Sequence, residues 1–156
     1  MDNLHQNYIR WFKEIVRGLC QLENGGFAIL MVTLPILERY LREKSRVYES
    51  PRLEAPFYTE LLRVFPTLSS EQEARNFWQI FRNGLLHQAT LSRATTKGIT
   101  MPAGLLSADA PAVDVDKSGI FLVNPRKFAD RVFGVIDSDF GVFEAAGSIN
   151  HPMPNA

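Results

Sequence analysis

Phe77-Trp78-Gln79-Ile80-Phe81-Arg82-Asn83-Gly84-Leu85-Leu86-His87-Gln88 sets a cation, an amide and one of the chain's three histidines into an otherwise apolar run. On an α-helix each residue advances about 100°. Phe77, Phe81, Gly84, Leu85 and Gln88 then share one mostly apolar side. Gln79, Arg82, Asn83, Leu86, His87 and Thr90 share the opposite side. Asn83 and His87 lie four apart, one above the other. Arg82 precedes His87 by five, and its long stem can reach across the stripe. A polar stripe on a bundle helix can also face solvent and do nothing more. Two features weigh against that here. Gly84 sits mid-helix, where it costs ~1 kcal/mol relative to Ala, and a close approach by another backbone or a ligand would explain it. The stripe also lacks Glu and Lys, the usual solvated residues.

Working outward, the flanking segments predict more helices. Asp2 or Asn3 can cap a first helix, whose Leu4, Tyr8, Trp11, Phe12, Ile15, Val16 and Leu19 recur with helical spacing. Asn24-Gly25-Gly26 ends it. A second helix is expected from about Phe27 to Arg46, apolar all round in its first half and charged in its second. Pro35 should kink it. Pro56 lies in the first turn of a short third helix through Val64. Ser69 or Ser70, with Gln72 and Glu73, forms a capping box for the fourth. That helix carries the opening stretch and is expected to reach about Arg93. Long amphipathic helices of this kind predict a mainly α fold, an antiparallel helical bundle.

After Arg93 the pattern changes. Lys97-Gly98 and Pro102-Ala103-Gly104 break regular structure. Residues 112–116 and 120–123, on either side of Lys117-Ser118-Gly119, predict a β-hairpin. Asn124-Pro125 starts a final helix with Phe128, Val132, Phe133, Val135 and Ile136, and with Phe140 and Phe143 beyond. Residues 1–146 thus read as a single domain, with a helical core over 1–95 and a hairpin plus helix over 97–146. Residues 147–156 read as a loose tail.

Composition bounds what the chain does. At 156 residues it can bury roughly two thirds of its unfolded surface. A formal net charge of zero excludes bulk electrostatic binding of nucleic acid. A single cysteine, Cys20, forms no internal disulfide and suits a reducing cytoplasm. The longest apolar run, 27–37, is about eleven residues and too short to cross a bilayer, so no membrane association is expected. No cofactor is expected, because Gly25-Gly26 stands alone without a phosphate loop. No metal is expected either, since no His, Cys, Asp and Glu cluster has ligand spacing.

Arg82-Asn83-Gly84-Leu85-Leu86-His87 resembles the signature of HEPN domains (higher eukaryotes and prokaryotes nucleotide-binding). That signature is an Arg, usually followed by a polar residue, then a His after four to six intervening positions, on a helix of an all-α bundle. The preceding apolar helix with an acidic residue in its later part, Glu38, agrees with it. The resemblance covers roughly residues 1–95 and does not extend to the hairpin and last helix. It implies a metal-independent endoribonuclease of a toxin or defence system, acting as a homodimer with a composite site. It also implies a nucleotidyltransferase-type antitoxin as a partner. A non-catalytic dimerisation or partner-binding module is the alternative.

The residues suit the implied chemistry, in which an RNA 2′-hydroxyl attacks its own phosphate and leaves a 2′,3′-cyclic end. His87 would exchange protons near neutral pH. Arg82 would bind the scissile phosphate in a bidentate way, and Asn83 would orient either. One histidine per chain is a poor acid–base pair, and a two-fold partner supplies the second. Glu38 either pairs with Arg42 four residues on or steers Arg82 across the bundle, with Gln79 beside it. Arg39 and Arg42 are candidates for the RNA backbone. Phe77, Trp78 and Phe81 read as core or dimer interface rather than a stacking platform. A small-ligand site within the Phe-rich interior is a further reading.

Overall fold

The computed structural model describes residues 3–48, 54–86, 95–96, 99–100 and 104–147. The fold is mainly helical, with a small sheet and a C-terminal helix, as the sequence pattern predicts. The first helical rod comprises α1 (Leu4–Tyr8), a π-helical stretch π1 (Ile9–Lys13) and α2 (Glu14–Leu19). Asn3 starts it: its Oδ1 accepts from the His5 and Gln6 amides at 3.1 and 3.3 Å. In π1 the ladder widens by one residue, so that the Glu14 amide bonds the Ile9 carbonyl five positions back.

Helix α3 (Gly26–Ser45) is the centre of the molecule. Nine of its twenty residues are buried, and it packs against α2 and the helical segments Ala55–Val64, Gln79–Leu85, Pro125–Ser138 and Phe140–Ala145. Pro35 does not end it. The proline ring lies on the exposed side, where water can satisfy the carbonyl one turn back that loses its donor. Arg46, left-handed at φ 57°, terminates the helix. Helix α4 (Ala55–Val64) follows. Then comes α5 (Glu71–Trp78), which continues into a second π-helical stretch, π2 (Gln79–Leu85). Ser70 caps α5 by accepting from the Glu73 amide at 3.1 Å, and the Glu73 carboxylate accepts from the Ser69 amide at 2.7 Å. The expected continuation of this helix to Arg93 lies outside the described residues.

Two short strands, β1 (Thr95–Thr96) and β2 (Ile99–Thr100), pair antiparallel. A three-stranded sheet of β3 (Gly104–Leu106), β4 (Val113–Val115) and β5 (Phe121–Val123) follows, in the order β3-β5-β4. The predicted hairpin is β4 (Val113–Val115) against β5 (Phe121–Val123), with Asp114 opposite Leu122. Its turn is fixed by Asp116, whose Oδ1 accepts from the Ser118 and Ile120 amides at 2.8 and 2.9 Å. Gly119 takes the positive φ, 77°, that the turn requires. Of the break expected at 102–104 only Gly104 lies among the described residues, and it opens a third strand. β3 (Gly104–Leu106) runs parallel to β5, with Gly104 opposite Phe121. Gly104 is what admits it: a Cβ there would lie 2.6 Å from the Phe81 ring.

Helix α6 (Pro125–Ser138) starts at Asn124, whose Oδ1 accepts from the Arg126 and Lys127 amides, both at 3.1 Å. Helix α7 (Phe140–Ala145) is split from it at Asp139. Tyr40 and Lys44 of α3 donate to the Asp139 carboxylate at 3.0 and 2.7 Å. The residues after 104 share one core with the earlier helices. Phe128 stacks on Phe65 at 4.9 Å, Phe121 meets Phe77 edge-on at 6.0 Å, and Phe143 packs on Tyr8 at 5.1 Å. The predicted tail from Gly147 falls outside the described residues beyond that glycine.

Two stability outcomes follow. Gly104→Ala should lower unfolding free energy by about 1–3 kcal/mol, read by urea denaturation, because its methyl overpacks the Phe81 ring. The second concerns pH. The bond from Lys44, then that from Tyr40, hold the Asp139 carboxyl below its ordinary 3.8, while partial burial opposes them. A depressed native pKa contributes stability above the unfolded value, lost as pH falls through the folded one. Parent and Asp139→Asn should therefore differ by a constant amount at neutral pH. Their urea midpoints should converge as pH falls below that ordinary value.

Candidate functional site

The π2 stretch divides its residues as the periodicity predicts. Phe81 and Leu85 are fully buried, as is Phe77 in the preceding α5, and Trp78 is nearly so. These rings therefore belong to the core. Gln79 and Arg82 are half-buried, Asn83 is exposed, and Gly84 and Leu86 are half-buried. The backbone under Arg82 and Asn83 is π-helical rather than α-helical, a geometry often found at functional positions.

Glu38 organises the polar residues here. Among the described residues it is the one buried charged side chain, at 8% exposure. A carboxylate in that position must be paired, and two arginines pair it. Arg82 donates from Nε to Glu38 Oε2 at 2.8 Å and from Nη2 to Oε1 at 3.3 Å. Arg42 donates from Nε and Nη2 to the same Oε1 at 3.0 and 2.7 Å. The two roles weighed for Glu38 in the sequence thus both occur. It pairs with Arg42 along α3 and holds Arg82 across the helix interface.

Arg82 remains 24% exposed along its side chain, and its Nη1 donates to Asn83 Oδ1 at 3.2 Å. The structure therefore brings together Glu38, Arg42, Arg82 and Asn83. Glu38 takes Nε and Nη2 of this guanidinium and the Asn83 amide oxygen takes Nη1, so its orientation is fixed from both sides. His87 lies outside the described residues.

Arg39 and Arg42, the candidates for the RNA backbone, are both engaged within the chain. Arg39 turns to the end of α7, donating from Nε and Nη2 to the Phe143 carbonyl at 3.1 and 3.0 Å, and also to the Gly147 carbonyl. Its guanidinium also covers the Phe143 ring at 4.6 Å. Burial lowers its pKa from the ordinary arginine value, against the opposing pull of Glu43. Arg42 gives its remaining nitrogen to the Tyr48 carbonyl at 2.6 Å. Sequence spacing showed the Glu38–Arg42 pair, because i,i+4 is a local relation. It held no signal for the bond from Arg39 to Phe143, which spans 104 positions.

No family model, curated protein or solved structure matches this chain. None of the described helices is long and apolar enough to cross a membrane.

Glu38→Ala should leave two arginines facing a void at the α3–π2 contact. We expect a loss of about 2–3 kcal/mol, measured by urea unfolding. Arg42→Ala should cost less, since Arg82 keeps the carboxylate paired.

Proposed function

We propose that this chain is a HEPN-type endoribonuclease that cleaves RNA without a metal, working as a homodimer in the cytoplasm as part of a toxin or defence system. The observation that carries the reading is the Glu38 carboxylate holding Arg82 beside exposed Asn83, on the polar side of the helix whose sequence continues to His87. In this reading Arg82 binds the scissile phosphate and stabilises the charge that develops on it. His87 moves the proton of the 2′-hydroxyl or of the leaving 5′-oxygen. Asn83 orients one of the two. Glu38 touches no substrate and acts by positioning Arg82. A symmetry-related chain brings the second histidine, so acid and base come from different copies.

A second reading has its own observation. Arg82 makes two bonds to Glu38 across the α3–π2 contact, which is also what a purely structural ion pair does. The chain would then be a non-catalytic dimerisation or partner-binding module, for example for a nucleotidyltransferase-type antitoxin.

Incubating purified protein with single-stranded and structured RNA in EDTA separates the two. The ribonuclease reading expects cleavage with 2′,3′-cyclic phosphate ends. His87→Ala should slow it about 10²–10⁴-fold, and Arg82→Ala should slow it while the fold is retained. No cleavage by the parent of any RNA tested, with the variants unchanged in partner binding or self-association, would overturn it.

A further inference from the structure

An open cleft of about 730 Å3 lies between the turn before α3, the end of β3 and the start of α6. It shares no residue with the Glu38–Arg82 cluster. Phe27, Ile29, Leu106 and Pro125 supply its apolar walls. Phe27 is 45% exposed, an uncommon state for a phenylalanine beside a filled core. The wall joint is tight: a Cβ on Gly26 would stand 3.1 Å from both Leu106 and Pro125. The space is therefore bounded by packed residues.

The charged residues of its lining are Arg126, Lys127 and Glu23. Arg126 donates to the Cys20 carbonyl and so ties the turn before α3 to α6. Lys127 is exposed and forms no ion pair among the described residues. The first turn of α3 has no side-chain cap and no acidic residue, so its amides add a weak positive field along the same wall. The helix end alone would hold nothing; the apolar walls select the occupant. Two cations against one carboxylate leave a single net positive charge. That suits a monoanion and offers no ladder of phosphate contacts for a polynucleotide. The volume falls in the range of small-molecule sites, roughly 300–1,000 Å3.

We propose that this cleft binds a small amphipathic organic anion, its apolar body against Phe27, Ile29, Leu106 and Pro125 and its acid group toward Lys127. The proposal stands whether or not the chain cleaves RNA.

The probe is anilinonaphthalene sulfonate, an aromatic body with one anionic group, titrated by fluorescence into the full chain. We expect saturable binding at one site. Lys127→Glu, on an exposed position at a helix start where an acid is tolerated, should weaken it about fivefold or more. Ala108→Trp, which places an indole in the cleft from an exposed loop position, should abolish it. Circular dichroism checks that each variant is folded, and Lys127→Glu decides alone if Ala108→Trp is not. Binding by folded variants equal to the parent overturns the site. Equal affinity for uncharged phenylnaphthylamine overturns the choice of an anion.

Discussion

The Glu38 carboxylate is the constraint on which the site depends. It is buried on the central helix, where an unpaired charge would cost several kcal/mol. Four N–H bonds from two guanidiniums remove that cost. Such a pair adds little net stability relative to a well-packed apolar substitute. Its consequence is geometric. Arg82 enters from π2, is held at its root by a rigid helix, and keeps part of its side chain toward solvent beside Asn83.

The segment that carries Arg82 is itself held by aromatic packing from both sides of it in the sequence. Phe77 and Phe81 stack at 4.8 Å and place π2 against the sheet. Phe121 and Phe128, from beyond residue 104, close the other side of the same cluster. The late hairpin and helix therefore complete the interior that supports π2. Gly104 shows the tolerance involved: β3 approaches the Phe81 ring so closely that no side chain fits between them. Arg39, Tyr40 and Lys44 repeat the theme in the same half of α3. They fasten α7 and the break at Asp139 to the central helix.

Much of this was legible because it is local. The caps at Asn3, Ser70 and Asn124, the Lys117-Ser118-Gly119 turn and the inward Phe77, Phe81 and Leu85 follow from short-range chemistry and periodicity. The parts that were not legible depend on distant contacts. β3 is three residues long and pairs with residues seventeen positions later, with β4 between them in the chain. The π-helical stretches leave no residue pattern distinct from an α-helix. Arg39 read as a candidate for the RNA backbone because nothing near it in sequence shows the Phe143 carbonyl it reaches. Glu38 was readable as a partner of Arg42 or of Arg82, but not as the partner of both.

The most direct test is a double-mutant cycle on Glu38→Gln and Arg82→Gln, read as unfolding free energy in urea. If the carboxylate fixes Arg82 as described, the two substitutions should be strongly non-additive, with a coupling of about 1.5–3 kcal/mol. Additive losses, with coupling near zero, would show that Arg82 is not held by Glu38. The positioned guanidinium at the centre of this account would then be lost.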